Sequence, residues 1–278
     1  MSLTSNDWLA AAQRQLAAAG VGTARLDALV LLEDQLNKYR THILAHPEIV
    51  LSAQDVKILA RQLARRAKHE PLAYIRGHTE FYGRDFSITP AVLEPRPESE
   101  TMIELLLQQP DLPPQPRIAD VGTGSGALGI TAQLELPHAI VDLLEIDPAA
   151  AKIAQKNVIK FTTGQKIIIS DLLEQTSQHY DILLCNLPYV PDNFHINEAA
   201  LAEPKIAIFG GGDGLDVYRR LFMQLQTQQN KPLLILCESL PPQHDALTSI
   251  AAEAQYSLRQ TEDFIQVFSL QHTAHTDR

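Results

Sequence analysis

The chain has 278 residues, 45% of them hydrophobic, and carries 33 acidic against 23 basic residues for a net charge of −10. Its length supports one large domain beside a smaller one, and its charge weighs against a general nucleic-acid binder, which needs a basic face toward phosphate. No apolar run reaches the roughly 18 residues of a membrane span, and MSLTSNDWLAAAQRQ lacks the basic start and apolar centre of a signal peptide, so the cytoplasm is the default compartment.

Taken from the amino terminus, residues up to about 70 read as helices only. Asn6 caps a first helix ending at Gly20, with Trp8, Leu9, Ala12 and Leu16 on one stripe. Thr23 caps a second through Asn37, with Leu26, Leu29, Val30 and Leu36 facing inward, and a helical turn fills Tyr39 to His46. Ser52, followed three residues on by Asp55, has the form of a capping box for a further helix through Lys68. Arg61, Arg65, Arg66 and Lys68 cluster on that helix, with Arg76 beyond, and read as a solvated face. These helices carry no catalytic set, and a small bundle that braces its neighbour or binds a partner fits them.

From Glu70 the pattern changes. EPLAYIRGHTEFYGRDFSITP alternates polar and apolar residues around Gly77 and Gly83 and reads as a linker followed by a β-hairpin. The chain then divides into a helical domain over 1–75, a hairpin linker over 76–95 and a larger domain over 96–278. In VLEPRPESE, Pro95 and Pro97 hold an extended segment, Arg96 between them can reach an anionic group, and Glu98 or Ser99 opens a helix through Gln108.

RIADVGTGSGALGI is a short apolar run that ends in Asp120, then the loop Gly122, Thr123, Gly124 and Gly126, then a helix from about Ala127. The glycines let the backbone turn sharply and let a ligand approach, and the helix amino end faces that ligand with unsatisfied N–H groups. Such a loop also occurs in nicotinamide enzymes. The second strand ends in Glu145, where a carboxylate can grip both hydroxyls of a ribose, and KIIISD ends in Asp171, placed to accept from an adenine amino group. Three acids at successive strand ends point to a nucleoside. No pyrophosphate contact or hydride-transfer site is apparent, whereas S-adenosylmethionine suits the set: Asp120 for its ammonium and the loop amides for its carboxylate.

In DILLCNLPYVP an apolar run stops at Asn186, Leu187, Pro188 and Tyr189. The run reads as a buried parallel strand, and NLPY as the loop at its carboxyl end. A tight exit turn uses the same residue types. A loop that grips a planar NH2 group needs two acceptors and a flat partner. The Asn186 side-chain oxygen, the Leu187 carbonyl and the Tyr189 ring can supply them.

Farther on, Asn193 to Ala200 reads as flexible, Gly210 to Gly212 with Gly214 as an exposed turn, and Leu215 to Gln226 as a helix. KPLLILCES is a fifth strand ending in Glu238, and another helix with strands at Tyr256 to Gln260 and Phe264 to Leu270 completes the sheet; the tail HTAHTDR reads as disordered. Cys185 and Cys237 lie in apolar strands and read as buried free thiols, and the 10 His residues show no zinc spacing, so no metal site is expected.

EPLAYIRGHTEFYG, PAVLEPRPESE, DVGTGSGALGI, SDLL, NLPYV and EPKIAIFGGGDGLDVYRRL, in this order, resemble the family of peptide chain release factor N5-glutamine methyltransferases. The resemblance covers about residues 25 to 270. It implies an α/β fold: a Rossmann-like seven-stranded methyltransferase sheet with a small N-terminal helical bundle that helps hold the substrate and a linking β-hairpin. It implies S-adenosylmethionine as cofactor and a class 1 peptide chain release factor as partner, methylated on the glutamine amide of its Gly-Gly-Gln loop. By position, Asn186, Leu187, Pro188 and Tyr189 meet the acceptor amide, while Asp120, Gly122, Thr123, Gly124, Gly126, Glu145, Asp171 and Asn186 meet the cofactor. NPPY is usual in the family, and Leu187 replaces its first proline, a position that contributes only a backbone carbonyl. NLPY also resembles the loop of ribosomal RNA adenine dimethyltransferases. The alternatives are therefore a ribosomal-protein glutamine, the N6 of an adenine in RNA or DNA, and a cofactor-binding scaffold without turnover.

Overall fold

In the computed structural model, which describes residues 3–195 and 200–271, the chain gathers into two compact units, residues 3–78 with 200–202 and residues 79–195 with 203–271. The flexible segment expected at Asn193 to Ala200 falls partly, and the tail from His272 wholly, outside the described residues. Among the described residues no helix is long and apolar enough to cross a membrane.

The first unit is helical. α1 (Ser5–Ala18) buries Trp8, Leu9, Ala12 and Leu16 as its stripe demands. Its cap is Thr4 rather than Asn6. Thr4 Oγ1 accepts from the Asp7 amide at 3.2 Å and donates to the Asp7 carboxylate at 2.7 Å, so the helix starts two residues earlier. α2 (Ala24–Leu36) turns Ala28, Leu29, Leu31 and Leu32 inward, while Leu26 is 47% exposed, so the buried stripe differs from the expected one. Thr23 precedes α2 but makes no side-chain cap bond. α3 (Arg40–Ala45) and α4 (Ala53–Arg66) come next, the latter closed by the Ser52–Asp55 capping box.

The basic cluster on α4 is only partly a solvated face. Arg66, 13% exposed, donates to buried Asp27 at 2.6 Å, and Arg65 pairs with Glu70. Such a pair holds because both charges keep a partner when water is removed. Where a linker was expected, α5 (Leu72–Arg76) is a short helix, started after Pro71 and ended by Gly77 in the left-handed region.

The second unit opens with the hairpin strands β1 (His78–Phe81) and β2 (Arg84–Ser87), then a 3-10 turn at Pro97–Ser99 and α6 (Glu100–Leu107). Then come β3 (Arg117–Val121), α7 (Ala127–Glu135), β4 (Ile140–Glu145), α8 (Pro148–Phe161), β5 (Lys166–Ile169) and β6 (Ile182–Cys185). The chain closes with α9 (Asp216–Thr227), β7 (Leu234–Glu238), α10 (His244–Glu253), β8 (Tyr256–Glu262) and β9 (Ile265–Leu270). The seven-stranded sheet has the order β5-β4-β3-β6-β7-β9-β8. Its first five strands pair in parallel and β9 runs antiparallel to both neighbours.

β6 and β7 are buried at every position, as strands covered on both faces must be. Side chains alternate between the two faces: Ile118, Ile182 and Leu184 belong to one core layer, Ala119, Val121, Leu183 and Cys185 to the other. Cys185 and Cys237 are adjacent in register, buried and free. The strand order reverses between β3 and β6, and ligand crevices in open α/β sheets form at that reversal, beyond the carboxyl ends.

One buried side chain ties the hairpin to this crevice. Asn157 on α8 donates to the Ser87 carbonyl at 2.9 Å and the Ser125 carbonyl at 2.8 Å, and accepts from the Ser87 amide at 2.9 Å. Asn157→Ala leaves those backbone groups unpartnered away from water and is expected to cost roughly 2–4 kcal/mol, read as a lower urea midpoint with unchanged slope.

Candidate functional site

The loops at the carboxyl ends of the parallel strands build the site. After β3 the amides of Gly122 and Thr123 both donate to the Leu144 carbonyl at 2.9 Å, so the loop folds over the end of β4. Gly124 has φ +56°, and a Cβ there would meet nothing within 4 Å, leaving the backbone open toward a ligand. Gly122 is tighter: its φ of +72° favours glycine, and a Cβ would lie 3.1 Å from Leu187 Cδ2, so a larger residue would also press on the neighbouring loop.

Asp120, 1% exposed, accepts through Oδ2 from Thr123 Oγ1 at 2.5 Å and the Gly129 amide at 2.8 Å. Burial raises its pKa to about 6, against the lowering effect of those two bonds. Glu145 ends β4 and accepts from the Gly124 amide at 2.8 Å through one oxygen and the Asp147 amide at 3.0 Å through the other. Burial raises its pKa too. Asp171 lies two residues beyond β5, and its Oδ2 is paired with Arg220 of α9.

Beyond β6, Asn186 Nδ2 donates to Ser99 Oγ at 2.9 Å, and Ser99 Oγ donates to Glu238 Oε2 at 2.5 Å. Glu238 Oε1 accepts from the Tyr189 hydroxyl at 2.9 Å. Burial, then the Glu238 carboxylate, push the Tyr189 pKa far up. Leu187, 2% exposed, packs in the core layer with Cys185 and Val121, so its side chain is accommodated by burial.

The glycine-rich turn expected to be exposed is exposed at Gly212, while its two ends pack against the NLPY loop. Gly210 and Gly214 are buried. Val190 donates to the Ile208 carbonyl and accepts from the Gly210 amide, both at 2.9 Å, and Gln243 Nε2 donates to the carbonyls of Tyr189 at 2.8 Å and Asp213 at 2.7 Å. Glycine serves here for close approach. Arg96, expected to reach an anionic group, finds one within the chain: it donates to both oxygens of Glu203 at 2.8 and 2.7 Å. Burial lifts the Glu203 pKa to about 7 even so.

These elements enclose a cavity of about 240 Å³. Asp120, Gly122, Thr123, Gly124, Glu145, Asp171, Asn186, Leu187 and Pro188 line it; Gly126, which caps α7, and Tyr189, which turns its hydroxyl to Glu238, do not.

A family model described as the PrmC N-terminal domain matches residues 7–77, and one described as the methyltransferase small domain matches residues 98–213. The chain is 37% identical over 219 residues to the release factor glutamine methyltransferase of Koribacter versatilis, spanning 77% of this chain and 78% of that one. It is also 37% identical over 230 residues to that of Moorella thermoacetica, spanning 79% of each. The chain belongs to the release factor glutamine methyltransferase family. Among solved structures, the hMettl16 catalytic domain, determined with the MAT2A 3'UTR hairpin 6, superposes with a TM-score of 0.53 at 16% identity, covering 76% of this chain and 81% of that chain. At that identity the likeness concerns the methyltransferase fold alone.

In this family member, sequence reasoning missed Ser99, Glu238, Gln243 and Arg220 as parts of the site. Glu238 carried a signal, because it ends its strand as Glu145 does. Ser99 and Gln243 carried none, since their partners lie 87 and 54 residues away. A Cβ at Gly210 would sit 2.2 Å from the Gly214 carbonyl oxygen and 2.4 Å from that of Pro188, both backbone atoms with little room to yield. Gly210→Ala is expected to cost roughly 1–3 kcal/mol by overpacking, and to reduce methyl transfer more than cofactor affinity, seen by thermal unfolding alongside calorimetry and a transfer assay.

Proposed function

We propose that this protein transfers a methyl group from S-adenosylmethionine to the side-chain amide nitrogen of the glutamine in the Gly-Gly-Gln motif of a class 1 peptide chain release factor, in the cytoplasm. The observation that carries the reading is Asn186: its Nδ2 is tied to Ser99, which leaves Oδ1 as the acceptor at the cavity wall, beside the glycine loop.

The donor set fits the cofactor. Backbone amides, those of Gly124 and Asp147 among them, hold the two oxygens of Glu145, and its remaining lone pairs can accept from ribose hydroxyls. With Oδ2 of Asp171 paired to Arg220, Oδ1 is left to accept from the adenine amino group. Gly122, Thr123, Gly124 and Gly126 shape the backbone that meets the methionine carboxylate, and Asp120 balances the ammonium. The bound cofactor supplies an electrophilic methyl carbon on a sulfonium, whose sulfur keeps the bonding pair as the new C–N bond forms.

The chain itself contributes alignment of the nucleophile. An amide lone pair is delocalised into its carbonyl. Two acceptors, Asn186 Oδ1 and the Leu187 carbonyl, hold both N–H bonds and turn that pair toward the methyl group. Pro188 comes directly after the acceptor carbonyl and restricts it, and Tyr189 anchors the loop from behind through Glu238. The nitrogen becomes acidic only as its new bond forms, so its proton leaves to water without a strong base. Catalysis rests on positioning and electrostatics. Residues 1–75 serve as the substrate-recognition domain, 76–95 as the linker and 96–278 as the methyltransferase domain. The net charge of −10 disfavours the nucleic-acid alternative.

Mass spectrometry of a purified class 1 release factor incubated with this protein and S-adenosylmethionine is expected to show one methylene mass gained on the Gly-Gly-Gln peptide; no gain there rejects the substrate. Asn186→Ala is expected to abolish transfer with cofactor affinity nearly unchanged, and loss of cofactor binding in that variant counts against the assignment. Asp120 titrates near pH 6 because it is buried, and a neighbouring ammonium lowers that pKa. Cofactor binding at about pH 6 should therefore release part of a proton, with none released near pH 8 where Asp120 is already ionised. Calorimetry in buffers of different ionisation enthalpy measures this.

A further inference from the structure

We propose that Glu238 is a positioning residue that decides which end of the Asn186 amide faces the cavity. The inference rests on the reading of Asn186 Oδ1 as acceptor of the substrate N–H, and deepens it.

The two ends of an asparagine amide have nearly the same shape, so sterics alone do not orient it. Turned the wrong way, Asn186 would present its own NH2 to the substrate NH2, donor against donor. The choice is made through hydrogen-bond polarity. Glu238, 1% exposed at the carboxyl end of β7, is approached by two hydroxyls, Ser99 on one oxygen and Tyr189 on the other. A carboxylate only accepts. The single Ser99 hydrogen is therefore spent on Glu238, and the Ser99 oxygen is left to accept from Asn186, which must turn Nδ2 toward it. Oδ1 is thereby left, by elimination, facing the site. Burial, with the Glu98 charge, works against ionisation of Glu238; the Ser99 and Tyr189 hydroxyls work for it, as does the Asn186 side-chain amide, whose NH2 is thus drawn to the same carboxylate directly as well as through Ser99.

The same carboxylate fixes the loop at a second point, since Tyr189 lies three residues beyond Asn186 and donates to the other oxygen. Glu238 touches neither cofactor nor acceptor in this scheme. It acts through Ser99 and Asn186.

A carboxamide in its place, as in Glu238→Gln, has nearly the same shape but can donate to Ser99. The Ser99 hydrogen is then free to point at Asn186, and the amide loses its fixed sense. The test uses the full chain with a release factor as acceptor. Glu238→Gln is expected to lower kcat about tenfold or more, with cofactor Kd changed less than about twofold. Ser99→Ala should act alike, and Ser99→Thr, which restores a hydroxyl, should recover most of what Ser99→Ala loses. Without any substrate, the Asn186 side-chain NH2 signals in 15N-resolved NMR should show one slowly exchanging proton in the parent, lost in Glu238→Gln. If Glu238→Gln does not fold, Ser99→Ala carries the test. Variants that keep kcat within about twofold of the parent, while the parent methylates glutamine, overturn the inference and leave the proposed function standing. A parent that methylates no glutamine overturns the proposed function. The NMR signals then decide separately, and unchanged exchange in Glu238→Gln rejects the role of Glu238.

Discussion

The parallel pairing of β3 with β6 is the constraint on which the site depends. Val121 and Cys185 are partners in register at the ends of the two strands, so the next residues, Gly122 and Asn186, leave the sheet side by side. One strand brings the glycine loop and the other brings the Asn186 loop to the same cavity wall. Neither strand is adjacent to the other in sequence. β4 and β5 lie between them in the chain and are laid out to one side of β3, while β6 and β7 continue on the other. That reversal opens the crevice, and the apolar layers on both faces of the sheet hold its rim at a fixed spacing.

A rim with this chemistry opposes folding locally. Asp120, Glu145 and Glu238 are all buried acids whose pKa values are raised by loss of water. Each is stabilised by donors that come from the backbone or from a hydroxyl, so the charges are oriented before any ligand arrives. Preorganisation of this kind spares reorganisation during reaction. The large apolar core around the sheet offsets the local cost.

Much of this is legible in the chain because strands and glycine loops are written locally. The apolar runs ending in Asp120, Glu145 and Glu238, the glycines at 122, 124 and 126, and the Ser52–Asp55 capping box all depend on neighbours within a few residues, and the structure has them in place. The less legible features are those decided by distant partners. The turn at Gly210 to Gly214 reads as exposed throughout, yet only its tip is: Gly212 is exposed, while Gly210 and Gly214 are buried because a loop 20 residues earlier lies against them. Arg66 reads as a surface cation but turns inward to Asp27, 39 residues away. Thr4 wins the α1 cap from Asn6 because Asp7 stands three residues beyond it and returns its hydrogen bond. The ring of Tyr189 reads as a platform, and its hydroxyl is held by a strand whose proximity only the fold creates.

Leu187 has a consequence for how the two ligands interact. A Cβ built on Gly122 would lie 3.1 Å from Leu187 Cδ2, so the loop after β3 and the loop after β6 lie close together at this side chain. If each loop holds a ligand, any coupling between the two binding events is symmetric by linkage: by whatever factor the first ligand alters the affinity of the second, the second alters that of the first. At that junction this chain places a branched aliphatic side chain that is 2% exposed, and the fit between its two loops is set by how that leucine packs.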